Sequence, residues 1–148
     1  MTAGNKKRPV LLVTVWHTGT RSFLKLVEPV LGEPKKLHED GHRFYHHHAR
    51  QRLRPRYEEL LDKGYDLIVT SRNREDVRQS WERRYADRPD LLRDVWEEQW
   101  NMYHNFLLPR ATLLFDYSLP NRESSLADLN IYLGTNLTTD WEPIGSVR

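Results

Sequence analysis

The chain has 148 residues, 38% hydrophobic and 30% charged, a size that fits one domain with a proper buried core. A formal net charge of +2, with seven His, falls far short of the basic stripe of a nucleic-acid binder and suits a small anionic ligand. The lack of Cys excludes disulfides and thiolate metal sites, and five Trp with seven Tyr argue against disorder.

Residues 1–8 are small and charged and read as a flexible N-terminal arm, leaving 9–148 as one domain. Pro9-Val10-Leu11-Leu12-Val13-Thr14-Val15 is a β-branched apolar run, the pattern of a strand covered on both faces. It is too short to span a bilayer. Lys6-Lys7-Arg8 ahead of it is not matched by a small-residue cleavage site behind it. The expectation is a soluble, cytoplasmic protein with no membrane and no nucleic-acid partner; the pattern sets no oligomeric state. From Ser22, with Ser22 itself a possible cap, the apolar spacing turns helical through Phe23, Leu26, Val27, Val30 and Leu31, and Gly32 stops it.

Residues 33–54 hold five of the seven His and six Lys or Arg with little periodicity, and read as an irregular connection with a short strand near Lys36-Leu37. Pro55 to Lys63 is a helix closed by Gly64, and Asp66-Leu67-Ile68-Val69-Thr70-Ser71 is a second buried strand. Asn73 caps the next helix, with Asp76 at the capping-box position and Val77, Trp81 and Tyr85 along one face. After a break at Pro89, Leu92, Val95, Trp96, Gln99, Tyr103, Phe106 and Leu107 trace an amphipathic helix that ends at Pro109. Trp96 and Trp100, four apart, suit core packing, with the wall of an acceptor pocket as the alternative. Residues 112–117 are a third strand, and Ser125-x-x-Asp128 caps a last helix stopped at Gly134.

Alternating strands and helices predict an α/β domain of three layers, α/β/α, around a mostly parallel sheet. Such sheets bind ligands at the carboxyl ends of their strands, here the polar stretches 16–22, 71–74 and 116–118. In the first, His17-Thr18-Gly19-Thr20-Arg21-Ser22 joins a strand to a helix N-terminus, where backbone N–H groups converge on an anion. Thr18, Thr20 and Ser22 add hydroxyls, His17 and Arg21 positive charge, and Gly19 a close backbone approach. An ordinary βα turn fits the same residues. The loop lacks the full G-x-x-x-x-G-K-[ST] pattern of a nucleoside-triphosphate site. In the second stretch, Arg72 sits at a strand end and Ser80 two turns into the next helix, a spacing that can grip one phosphate from two sides.

Together these motifs resemble the sulfotransferases that use 3′-phosphoadenosine 5′-phosphosulfate (PAPS). That family carries K-S-G-T after its first strand and R-[ND]-P-x-[DE]-x-x-x-S after a later one; Arg72, Asn73, Asp76 and Ser80 match the second spacing. Phe115-Asp116-Tyr117-Ser118-Leu119 and Leu126-Ala127-Asp128-Leu129-Asn130-Ile131-Tyr132-Leu133-Gly134 are similar to two further family segments. His17 stands at the family's loop Lys, and Arg74 at its Pro.

The resemblance implies a P-loop-like sulfotransferase fold and sulfuryl transfer from PAPS, with no metal, to a small-molecule or carbohydrate acceptor bearing a hydroxyl or amine. Thr18, Gly19, Thr20, Arg21 and Ser22 would cradle the phosphosulfate, with His17 in the Lys role, and Arg72 and Ser80 would hold the 3′-phosphate. The family's general base is often a His ahead of the Arg-bearing strand, which makes His42, His46, His47 and His48 candidates. A solvated basic loop and a zinc site are the other readings of that cluster. A non-catalytic nucleotide-binding module and a divergent P-loop kinase are the other readings of the chain.

Overall fold

The computed structural model describes residues 8–15, 18–139 and 141. Residues 1–7 of the expected arm, His17 and the tail from 142 to 148 lie outside the described residues. Arg8, assigned to the arm, is instead tied to the domain: its Nε donates to the Gly64 carbonyl at 2.9 Å and lies 3.4 Å from an Asp66 carboxylate oxygen.

Four strands make one parallel sheet in the order β2-β1-β3-β4, with β1 Val10–Thr14, β2 Phe44–His48, β3 Asp66–Ser71 and β4 Leu113–Asp116. β1 and β3 are buried along their whole length, which is why their sequences are nearly unbroken apolar runs. Helices α1 (Thr20–Leu31) and α6 (Arg122–Leu133) cover one face, where Val10, Leu12, Ile68 and Phe115 pack against Phe23, Val27, Leu129 and Leu133. Helices α2 (Arg54–Asp62), α3 (Arg74–Arg84) and α4 (Pro89–Met102) cover the other, where Leu11, Val13, Leu67 and Val69 meet Tyr57, Val77, Trp81 and Phe106. Each fully buried Leu or Phe contributes about 1.5–3 kcal/mol, so the two apolar layers hold the sheet edge rigidly in place. The chain is thus an α/β domain with a parallel sheet between two helical layers.

Residues 44–48, read as irregular, form β2 beside β1. The three His conceal it: the pleat sends Phe44, His46 and His48 toward α1 and Tyr45 and His47 toward α2, so no polar–apolar alternation is visible. The strand expected near Lys36-Leu37 reduces to one bridge, where the Lys35 N–H donates to the Phe44 carbonyl at 2.8 Å along the outer edge of β2. The expected break falls between Arg84 and Pro89, and Pro89 opens α4, where its missing N–H costs nothing. That helix then widens into a π turn at Tyr103–Leu107 and a short α5 at Leu108–Arg110. Pro109 has no N–H to return to Asn105, which disfavours regular α winding there.

Ser125 does not cap the last helix. α6 starts at Arg122, and Ser125 is buried inside it, where its Oγ accepts the Asp116 N–H at 2.9 Å and ties α6 to the end of β4. Ser22 likewise lies inside α1, whose N-cap is Gly19. Asn73 does cap α3, its Oδ1 accepting from the Glu75 and Asp76 N–H groups at 2.9 and 3.2 Å.

Candidate functional site

Because all four strands run the same way, the β1–α1 loop, the end of β2, Arg72 after β3 and Tyr117 after β4 share one edge of the sheet. The loop is built from buried contacts. Thr18 is fully buried; its hydroxyl donates to the Val15 carbonyl at 2.6 Å and accepts from the Thr70 hydroxyl at 2.7 Å. That hydroxyl braces the loop and does not serve as a ligand donor. Gly19 has φ +91°, and a Cβ there would lie 2.5 Å from Cε2 of Tyr117. The glycine is therefore required by a left-handed backbone and an aromatic ring packed on it, whatever the loop binds.

Thr20 opens α1, and its Oγ1 is buried with no hydrogen-bond partner among the described residues. No side chain caps this helix, and its first turn holds no acidic residue. Its leading N–H groups lack intrahelical acceptors and carry the positive end of the helix dipole. Arg21 is exposed and Ser22 half-buried beside them.

The His candidates separate. His46 Nε2 and His48 Nδ1 each lie 3.0 Å from Thr14 Oγ1, with their rings 5.2 Å apart. Burial, and then the charges of His48 and His47, lower the His46 pKa to about 3, so this ring is neutral at physiological pH. His47 faces the opposite layer, and its Nδ1–H donates to the His48 carbonyl. Burial lowers its pKa too; the carbonyl opposes this, and Arg52 and Arg50 reinforce it. His42 precedes β2, at the other edge of the sheet, with Nε2 3.0 Å from a Glu39 carboxylate oxygen. Of the four described candidates, His46 and His48 are brought to the α1 side of the sheet.

Arg72 is half-buried at the end of β3; desolvation lowers its pKa and Asp76 raises it, and its guanidinium remains charged. Ser80 lies on the inward side of α3 with 2% of its surface exposed. After β4 the Asp116 carboxylate accepts from the Ser118 N–H at 2.9 Å and the Asn121 side-chain amide at 3.0 Å, which shapes the turn. Tyr117 is buried against Gly19, and that burial raises its pKa. The Tyr103 hydroxyl, from the π turn, donates to Ser71 Oγ at 2.8 Å, a link unreadable in sequence because it needs the widened turn.

Beyond Arg72, a groove of about 370 Å³ opens between α3 and α4, lined by Arg74, Arg78, Glu82, Arg93, Trp96 and Glu97. The Arg74 guanidinium lies over Trp96 and Trp100, 5.7 and 5.5 Å from the ring centroids. Trp100 is buried, whereas Trp96 is half-buried and forms part of the groove wall. Core packing therefore holds for both members, since Trp96 also packs against the buried cluster on that face.

Comparison with known proteins finds no matching family model, no similar curated protein and no similar solved structure. Among the described residues no group of three His, Asp or Glu is arranged to hold a metal ion, and no helix is long and apolar enough to cross a membrane.

Proposed function

We propose that the chain is a PAPS-dependent sulfotransferase acting on a hydroxyl or amine acceptor. The observation that carries this reading is the unpartnered Thr20 hydroxyl at an uncapped helix N-terminus, on the same sheet edge as Arg72 and the His46–His48 pair. A buried hydroxyl without a partner costs about 1–3 kcal/mol, which an anion lodged against α1 would recover. Thr20 Oγ1, the first N–H groups of α1, Arg21 and Ser22 would hold the phosphosulfate end. Arg72 would hold the 3′-phosphate; Ser80 would join it by turning its hydroxyl out of the α3 interior.

PAPS, as substrate, supplies the sulfuryl group: the acceptor oxygen or nitrogen bonds to sulfur, the sulfur–phosphate oxygen bond breaks, and 3′-phosphoadenosine 5′-phosphate leaves. The acceptor's proton passes to His48, the other member of the pair. His46, with its pKa near 3, is too weak a base for that step.

The test is a thermal shift with 3′-phosphoadenosine 5′-phosphate, set against ATP with and without magnesium. Bisphosphate at a hundred times its dissociation constant stabilises the fold by about 2.7 kcal/mol, and Arg72→Ala abolishes the shift. No shift with the bisphosphate rejects the proposal, and a shift only with magnesium–ATP replaces it with a kinase. The commitment of the Thr18 hydroxyl to Val15 favours a second reading, a module that binds the nucleotide without transferring anything. Bisphosphate binding without label transfer from sulfur-labelled PAPS to an acceptor panel would establish that one.

A further inference from the structure

We infer that the α3–α4 groove takes the oxyanion of a small ligand, a carboxylate or a sulfate ester, on the Arg74 guanidinium. Within the transfer reading, on which this step rests for the word acceptor, the acceptor is then a hydroxyl or amine compound carrying an anionic group. The geometry of the groove itself depends on no nucleotide.

Arg74, Arg78 and Glu82 recur every fourth residue on α3, so they line one side of the groove over about 12 Å. Across from them α4 supplies Arg93, Trp96 and Glu97. Three Arg thus face two Glu, and most of this charge is already spent. Arg78 Nε donates to a Glu82 carboxylate oxygen at 3.2 Å. Arg93 lies 3.2 Å from Asp94 and 3.8 Å from Asp90, and the Glu97 charge adds to theirs. Of the two acids in Arg74's own turn, Glu75 accepts from the Gln79 amide at 3.5 Å and Asp76 acts on Arg72. Arg74 is the one Arg of the three that forms no ion pair among the described residues. A cation at the opening residue of α3 also opposes the helix dipole, so the helix gains nothing from it.

Two indoles hold that cation instead. The Trp96 and Trp100 ring centroids are 5.5 Å apart, and the guanidinium carbon lies 5.7 and 5.5 Å from them, nearly an equilateral triangle. Attraction to a ring face takes the charge and commits no N–H to an acceptor. Trp100 keeps its buried indole N–H without an acceptor among the described residues, so this corner holds donors that nothing meets. An oxyanion supplies the missing acceptor, and the guanidinium fork matches two of its oxygens. Because the rings already restrain the side chain, less freedom is lost when the ligand arrives. Half-buried Trp96 offers the rest of the ligand an apolar wall, and a volume of about 370 Å³ admits a small ring with its substituents. The anion then sits two residues from Arg72, at the end of the groove nearest the sheet edge.

The test uses the full chain without nucleotide and follows the indole N–H signals of Trp96 and Trp100 by proton–nitrogen NMR. The probes are para-hydroxybenzoate, its neutral counterpart para-hydroxybenzamide, and phenyl sulfate. Para-hydroxybenzoate or phenyl sulfate should shift both signals saturably, and the amide should bind about tenfold more weakly or worse. The tighter of the two anions names the oxyanion. Arg74→Gln should erase the preference for charge, and Arg74→Lys, which keeps the charge and loses the fork, should weaken the carboxylate too. Equal binding of acid and amide by the wild type overturns the inference without any variant. So does the absence of a saturable shift with either anion, or an unchanged affinity in folded Arg74→Gln. Where sulfuryl transfer is measurable, Arg74→Gln should raise KM for para-hydroxybenzoate by about tenfold while KM for the nucleotide holds. A groove that takes the anion in a protein that ignores 3′-phosphoadenosine 5′-phosphate would sink the transfer proposal and leave this inference standing.

Discussion

Replacing His46 by Gln should flatten the acid limb of the stability curve. His46 is half-buried on the α1 side of the sheet, and its pKa falls from 6.5 to about 3, chiefly by desolvation and then by the charges of His48 and His47. The folded-state pKa lies below the unfolded one, so between these values the unfolded chain binds the extra proton. Stability contributed in this way is fully present above about pH 6.5 and declines as pH falls toward the folded-state value. The slope is about 1.4 kcal/mol per pH unit, so descending from about pH 6.5 to about 4.5 removes about 2–3 kcal/mol from the wild type alone. That is a large share of the 5–15 kcal/mol typical of a small domain. Urea unfolding of both proteins across this window isolates the term, because the carboxylates titrate alike in each and cancel in the difference. The curves should converge on the acid side by that amount. Parallel curves would refute the reasoning, since they would mean that His46 binds its proton equally well in both states.

Gly19→Ala should destabilise the domain by at least about 2 kcal/mol, because it combines a left-handed φ with a Cβ placed 2.5 Å from the Tyr117 ring. Adding Tyr117→Leu should recover the steric part and leave the backbone part, a coupling that a double-mutant cycle of melting curves would read; strict additivity would mean the ring is not the obstacle. Ser125→Ala should cost about 1–3 kcal/mol in urea unfolding, as it strands the Asp116 N–H, and a loss below a few tenths would show that water replaces the hydroxyl.

The elements that sequence pattern conveys are those whose residues answer to one local demand. β1 and β3 are covered on both faces, so nearly every position is apolar, and their extents are read almost to the residue. Asn73 caps α3 through hydrogen bonds two and three residues away, which a short window contains. β2 is opaque for the opposite reason. Its His rings pack and hydrogen-bond like core side chains while counting as polar, and their partner Thr14 is distant in sequence. Ser125 misleads because Ser-x-x-Asp has the spacing of a capping box, yet its hydroxyl answers to β4, which reaches it only in the folded chain.

The same distinction governs the site. A strand, a loop and a helix in order are legible, and so is the edge on which they open. What each loop residue does there is decided by neighbours from other strands: Thr70 claims the Thr18 hydroxyl, Tyr117 claims the space over Gly19, and Thr20 is left without a claimant among the described residues. Three adjacent His look like one cluster in a string of letters, and the pleat divides them between two layers. Donor capacity in the loop therefore has to be counted after the fold has taken its share. Counted that way, the donors left over among the described loop residues are the Thr20 hydroxyl and the leading N–H groups of α1, not the Thr18 hydroxyl.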